Sequence, residues 1–165
     1  MPEPMLPADR RHVFVYGTLR RGDVRDITLL QPSPMFVGMA SVQGVLYNLG
    51  AYPGLLLGGE GRVTGEVYAI TAALEQQLDS IEEVWPQPTG EYSKREVEVQ
   101  LHQHQVNHEA LEAVGVLCLL YEIDPARARG RPVILGGDWR ERRLQDTASN
   151  HHTSAVPGKI SQSNK

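Results

Sequence analysis

The chain has 165 residues, of which 41% are hydrophobic, and this length and composition fit a single globular domain with an ordinary core. A formal net charge of −4 disfavours nucleic acid as a partner, because the basic residues are scattered apart from Arg140, Arg142 and Arg143. No apolar run reaches the length of a membrane span, and the start of the chain does not resemble a secretory signal. A single cysteine, Cys118, excludes a disulfide framework. We therefore predict a cytoplasmic protein with no membrane partner.

Both ends of the chain differ in composition from the middle. Residues 1–11 are rich in proline and charge, residues 144–165 are polar, and we expect both segments to be flexible around one domain at residues 12–143. Within this domain, a short helix is predicted around Ile27–Leu30 and a longer one from Thr71 to about Glu82. The predicted strands are Val13–Tyr16, Met35–Val42, Gly44–Leu49, Arg62–Ile70, Ser93–Leu101 and Val114–Glu122. Many short strands with short connections predict an α+β fold, a mainly antiparallel sheet or barrel with helices packed on it.

The first predicted strand ends in the sequence Tyr16-Gly17-Thr18-Leu19. A strand that breaks at a glycine exposes backbone N–H groups, and a cluster of such groups can bind an anion such as a carboxylate. An ordinary turn at the end of a strand is the alternative interpretation of these four residues.

The long predicted helix carries several carboxylates. Thr71 is predicted as its N-cap, and Leu74, Leu78 and Ile81 form its apolar stripe. Glu82 lies about 73° from the centre of that stripe, Asp79 about 133° and Glu83 about 173°. We therefore expect a half-buried Glu82 with a raised pKa, able to accept a proton, and a solvated Glu83. A glutamate that simply bonds a neighbouring loop is the alternative for Glu82.

For three other features of the sequence, a structural role is favoured over a chemical one. His102, His104 and His108 have the spacing of a metal pair, but no third ligand of evident geometry accompanies them, and an exposed strand end is the favoured interpretation. Cys118 lies in a run that is apolar on both faces, which predicts a buried, unreactive thiol. The pairs Gly58-Gly59 and Gly136-Gly137 are predicted as turns.

Taken together, six motifs in sequence order resemble the gamma-glutamylcyclotransferase-like family, which includes gamma-glutamylamine cyclotransferases and the avirulence-induced plant proteins. The resemblance covers residues 13 to about 140. It is carried by residues 15–22, residues 44–50 with Tyr52-Pro53-Gly54-Leu55, residues 63–68, Leu78-Asp79-Ser80-Ile81-Glu82, Tyr92 with Arg95, and Ile134 with Gly137-Asp138-Trp139.

The resemblance implies a small mixed β-barrel with flanking helices and a reaction that converts a γ-glutamyl amide to 5-oxoproline and a free amine. It implies that Glu82 is the catalytic acid and base, that residues Tyr16, Gly17, Thr18 and Leu19 hold the α-carboxylate of the γ-glutamyl group, and that neither metal nor organic cofactor takes part. Tyr92 and Arg95 are candidates for contacting substrate or orienting Glu82, or alternatively for bracing the barrel. A monomer is slightly favoured.

Two departures from the family pattern concern the end of the helix. Relatives often have glycine after the catalytic glutamate, where this chain has Glu83, and the loop from Val84 to Glu91 is longer than the minimal form. We expect this loop to influence which amine is released: glutathione-derived, an amino acid, lysine from a crosslink, or a biosynthetic intermediate. A binding module without turnover, or a stress-associated interaction protein, is the alternative function.

Overall fold

The computed structural model describes residues 11–102 and 114–141. Five strands close into a barrel in the order β1-β3-β2-β4-β5. The strands are β1 (Arg11–Val15), β2 (Met35–Asn48), β3 (Pro53–Ile70), β4 (Tyr92–Leu101) and β5 (Val114–Ile123), and the helices are α1 (Ala72–Ile81), α2 (Pro125–Ala128) and a 3₁₀ turn at Ile27–Leu29. All pairings are antiparallel except β1 with β5, which closes the barrel in parallel. The predicted fold, a small mixed barrel with flanking helices, is confirmed.

The barrel has two hydrophobic layers, one inside it and one between its outer face and α1. Because side chains alternate along a strand, Phe14 faces the inner layer with Leu120, whereas Val13 and Val15 face the outer layer. Leu74 and Leu78 of α1 complete that outer layer. Residues 13–15 of β1 are therefore buried on both faces, which explains why this part of the strand is apolar throughout.

Two strands are longer than predicted. Strand β2 passes through Gly44 without a turn, because a shift in register absorbs the glycine. At the same point the partner of β2 changes from Arg62 to Leu57, so that residues 58–61 leave the ladder of β3. Gly58 and Gly59 have positive φ there, at 98° and 78°. The predicted turn at these glycines exists, but it lies within one long strand that starts at Pro53.

Some of the remaining structural predictions concern described residues, and others concern residues outside the described ranges. Arg11, expected in the flexible segment, is the first residue of β1 and pairs with Ile70. Cys118 is buried and free, and burial raises the pKa of its thiol to about 12. His102 is exposed, whereas His104, His108, residues 1–10 and residues 142–165 lie outside the described residues.

The described ranges, residues 11–102 and 114–141, contain neither a membrane-spanning helix nor a metal-binding cluster. No helix in these ranges is long and apolar enough to cross a membrane. The same ranges hold no group of three or more His, Cys, Asp or Glu side chains placed to bind a metal ion.

Candidate active site

A cavity of about 150 Å³ opens where β1 ends beside the C-terminal end of α1. The start of β3, the start of β4 and the loop between α1 and β4 complete its walls. Six of its lining residues belong to the set predicted from the sequence: Tyr16, Gly17, Thr18, Leu19, Glu82 and Tyr92. The fold thus brings together the end of the first strand and the end of the long helix, which are more than sixty residues apart in the chain.

The loop after β1 lines this cavity and contains unused backbone donors. The carbonyls of Gly17, Thr18 and Leu19 accept hydrogen bonds from the amides of Arg20, Arg25 and Ile27 respectively, at 2.9 to 3.0 Å. Within the described residues, the amides of the same three positions donate to no protein acceptor. Three such N–H groups beside a cavity can bind an anion through their partial positive charges. We call residues 17–19 the amide loop.

Glycine at position 17 is required by packing. A Cβ there would lie 2.6 Å from Cγ and 2.8 Å from Cδ of Pro53, which also lines the cavity. Gly17 does not have a positive φ, so its importance is not conformational freedom. The amide loop can approach the start of β3 this closely only because the side chain is absent.

Two tyrosines form fixed walls of the cavity. The hydroxyl of Tyr16 donates to the carbonyl of Tyr121 at 2.6 Å and accepts from the amide of Leu55 at 3.2 Å. The hydroxyl of Tyr92 donates to the carbonyl of Pro53 at 2.9 Å. Burial, followed by nearby negative charge, raises the pKa of both phenols. Both side chains are therefore neutral, and their protons are committed to the backbone rather than to a ligand.

The end of α1 determines where Glu82 lies. Thr71 caps the start of the helix as predicted, accepting from the amide of Leu74 at 3.1 Å. The end is a Schellman motif, with the amide of Glu83 bonded to the carbonyl of Ser80 and the amide of Val84 bonded to that of Asp79. Glu82 is the C-cap, and Glu83 has the left-handed φ of 59° that this motif requires of the next residue.

The side chain of Glu82 is withdrawn from water, as its position near the apolar stripe predicts. Only 11% of it is exposed, and its nearest cation is Nη1 of Arg25, 3.9 Å from Oε2. Burial raises the pKa of Glu82 to about 7; Arg25 opposes the rise, while the charges of Glu91 and Glu83 add to it. The carboxyl group can therefore accept and release a proton near neutral pH.

Asp79 is buried, although it lies about 133° from the centre of the apolar stripe. Its carboxylate accepts from the hydroxyl of Tyr121 at 2.7 Å and pairs with Nζ of Lys94 at 2.9 Å. These partners belong to β5 and β4, so Asp79 fastens the helix that carries Glu82 onto two strands of the barrel.

Arg95 is the one predicted site residue that the fold does not bring into the cavity. Its side chain is 53% exposed and its Nε bonds Oε1 of Glu122 at 3.0 Å. Conversely, sequence reasoning did not single out four side chains that line the cavity: Arg25, Tyr52, Glu91 and Tyr121. Tyr52 stands beside Pro53 in one of the quoted motifs, and Glu91 ends the long loop, so neighbouring signals existed for these two.

Comparison with known proteins gives concordant results. Residues 13–141 match the model of a family described as gamma-glutamyl cyclotransferase, AIG2-like. A Vibrio cholerae protein that is provisionally named gamma-glutamylcyclotransferase is 45% identical over 73 residues, which are 44% of this chain and 62% of that protein.

The solved structures that share the fold include the following two. A mouse AIG2-like protein superposes with a TM-score of 0.61 at 25% identity, covering 79% of this chain and 88% of that one. YkqA from Bacillus subtilis has a TM-score of 0.61 at 24% identity, covering 84% of this chain and 43% of the longer neighbour. The match to the family model extends over most of the 165 residues, from the strand before the amide loop to the segment after Trp139. The chain therefore belongs to the gamma-glutamyl cyclotransferase, AIG2-like family.

Proposed function

We propose that this protein is a cyclotransferase that converts a γ-glutamyl amide to 5-oxoproline and a free amine. The observation that supports this best is a nearly buried carboxyl group, Glu82, facing the same cavity as three unused backbone amides. A γ-glutamyl group carries one ammonium and one carboxylate on the same carbon. The cavity offers a proton acceptor for the first and a set of hydrogen-bond donors for the second.

The reaction requires little beyond positioning and proton transfer, because the substrate contains its own nucleophile. Glu82 takes a proton from the α-ammonium, whose ordinary pKa is about 8, as the α-nitrogen attacks the γ-carbonyl carbon. The new C–N bond closes a five-membered ring, and the bond to the leaving nitrogen breaks. The proton held by Glu82 then passes to that nitrogen, and the second proton that the ring nitrogen must lose is taken up by the released amine or by water, so that the enzyme returns to its starting state.

The amide loop would hold the substrate in the bent conformation that ring closure needs. Hydrogen bonds from the amides of Gly17, Thr18 and Leu19 to the α-carboxylate fix one end of the chain, and the walls formed by Tyr16 and Tyr92 limit the space for extended conformers. Holding reacting atoms in this manner can lower a barrier by several kcal/mol. The amide loop thereby does the positioning, and Glu82 does the chemistry.

The groups at this site do not determine which amine is released. Arg25, Glu83 and Glu91 all line the cavity, so the site contains both signs of charge. A substrate panel should therefore include leaving amines that are cationic, neutral and anionic. The expectations of a monomer and of a cytoplasmic location stay predictions beside this proposal.

The test is to incubate the protein with γ-glutamyl amines, γ-glutamyl dipeptides and glutathione and to measure 5-oxoproline release. Glu82→Gln keeps the shape of the side chain but removes the proton acceptor, and we expect a loss of about 10²- to 10⁴-fold in kcat/KM. Glu83→Gln is the matched control at the neighbouring, exposed carboxylate, and we expect a loss below about tenfold.

Release that is unchanged in Glu82→Gln would refute the assigned mechanism. If no substrate turns over while glutamate or 5-oxoproline raises the melting temperature, the protein is a binding module instead.

A further inference from the structure

Three segments that are far apart in sequence converge behind the amide loop. Arg20, which directly follows the loop, is 2% exposed. Its Nε donates to Oε2 of Glu66 on β3 at 3.0 Å, and its Nη1 donates to Oδ1 of Asp138 at 3.0 Å. Glu66 and Asp138 each belong to a motif of the family resemblance for which the reaction itself supplies no role.

Glu66 holds the backbone as well as the side chain of the segment that follows the loop. It is 3% exposed, and its Oε1 accepts from the amide of Arg21 at 2.9 Å and from the hydroxyl of Tyr68 at 2.8 Å. The amide of Arg20 in turn closes a tight turn onto the carbonyl of Gly17 at 3.0 Å. A displacement of Glu66 would consequently move the amides of residues 17–19.

Asp138 connects this arrangement to the last described segment of the chain. Its Oδ1 also accepts from the amides of Arg140 and Glu141, at 2.9 and 3.3 Å. The carbonyl of the preceding residue, Gly137, accepts from the amide of Thr64 on β3 at 2.9 Å. Asp138 is therefore fixed relative to the same strand that carries Glu66.

The charges of Arg20, Glu66 and Asp138 sum to about −1, so this cluster does not attract a carboxylate by net charge. Desolvation makes buried ion pairs poor contributors to stability, and apolar side chains of similar volume often stabilise a protein as well or better. What the cluster does supply is directional hydrogen bonds on both sides of a short turn. Its role is then geometric.

We infer that Arg20, Glu66 and Asp138 are positioning residues that set the direction of the amide-loop N–H groups and thereby the selectivity for an α-carboxylate. This inference rests on the proposed function. It predicts that weakening the cluster lowers the preference for a substrate with a free α-carboxylate over the same γ-glutamyl amide with an α-carboxamide.

The experiment compares kcat/KM for this substrate pair in the wild-type protein, Asp138→Asn and Glu66→Gln. Hydrogen bonds to a charged acceptor are stronger than those to a neutral one, so the wild-type protein should prefer the carboxylate by about 10- to 100-fold. Each cluster variant should reduce this preference by about tenfold. Val99→Ala, a cavity-forming change in the inner layer, is the control for general destabilisation and should leave the preference unchanged.

A second readout does not depend on turnover or on the full folding of Glu66→Gln. The rise in melting temperature caused by L-glutamate is compared with that caused by its α-amide, in the wild-type protein and in Asp138→Asn, whose side chain is partly exposed. Cluster variants that keep the wild-type preference in both assays overturn the inference and leave the proposed function intact. A wild-type protein that shows no preference for the carboxylate in either assay overturns the inference and the binding role of the amide loop together.

Discussion

The two sides of the cavity are built in opposite ways. On the loop side, packing against Pro53 and buried hydrogen bonds from Arg20 fix the backbone of the amide loop. On the helix side, the carboxylate of Glu82 forms no hydrogen bond within residues 11–102 and 114–141, and its ion-pair partner is 3.9 Å away. A group that binds an anion gains from being fixed, whereas a group that must exchange protons gains from being weakly stabilised as an anion. The difference between the two sides follows the division between positioning and proton transfer.

Gly17→Ala tests the rigid side and should lower both activity and stability. The added Cβ overlaps the ring of Pro53, so the amide loop or the start of β3 must move. Because small displacements of a positioning group are costly, we expect kcat/KM to fall by about 100-fold and the free energy of unfolding to fall by about 1 to 3 kcal/mol. Activity assays and urea denaturation measure the two effects.

Gly38→Ala is the matched control for this change. Gly38 lies in β2, and the nearest atom to an added Cβ is 3.6 Å away, which is ordinary contact. Equal losses in the two alanine variants would show that the contact with Pro53 is not what position 17 depends on.

Glu82→Gln tests the other side through stability instead of activity. Folding raises the pKa of this carboxyl from about 4.5 to about 7, so the folded state disfavours the charged form. The stability contributed by the protonated carboxyl is fully present below pH 4.5 and is lost as pH rises through 7. The variant should therefore be more stable than the wild-type protein at pH 8, by about 2 to 3 kcal/mol, and the gain should be largely absent at pH 5.

Denaturation at both pH values measures this gain. Glu60→Gln is the control, because it removes one negative charge at an exposed position elsewhere, in residues 58–61 that leave the ladder of β3. If the stability of the two variants depended on pH to the same degree, the raised pKa of Glu82 would not be the cause of the gain.

Glu83→Gly tests the backbone that holds Glu82. A left-handed conformation costs a non-glycine residue about 1 to 2 kcal/mol, and part of this is offset because glycine loses more conformational entropy on folding. We expect a net gain of about 0.5 to 1 kcal/mol in the free energy of unfolding. Glu83→Ala removes the same carboxylate but keeps a Cβ at φ 59°, and it should give no such gain.

Arg25→Met should have the smallest effect. The guanidinium lowers the pKa of Glu82 from 3.9 Å away but is half exposed, so solvent and salt screen it. Its removal should move the acid limb of the pH dependence of kcat/KM upward by a few tenths of a pH unit. A profile measured at low ionic strength checks this shift, and a downward movement would contradict the assigned role of Arg25.

Local pattern accounts for much of the site. The N-cap at Thr71, the apolar stripe of α1 and the half-buried position of Glu82 all follow from helical periodicity, because they depend only on residues within a few turns. The break of β1 at Gly17 is likewise visible in the sequence. Only the family resemblance predicted that these two features would meet in one cavity.

Features that depend on partners far away in the sequence could not be predicted from local pattern. The burial of Asp79 depends on Lys94 and Tyr121, which no helical angle reveals. Arg20 looks like a surface cation in sequence and is buried only because Glu66 and Asp138 meet it. The reason for glycine at position 17 likewise lies 36 positions further on, at Pro53. Closure of the barrel produces all three.

The place of β1 in the barrel has a consequence for how the protein fails. This strand pairs with β3 on one side and closes the barrel against β5 on the other, with hydrophobic layers on both faces. Because the amide loop continues directly from it, we expect the loop to open only together with this strand. Local unfolding at the rim and global unfolding then have similar free energies at this end. Inactivation by heat or denaturant should coincide with loss of the whole fold. Molecules with a folded barrel but a disrupted amide loop should not accumulate.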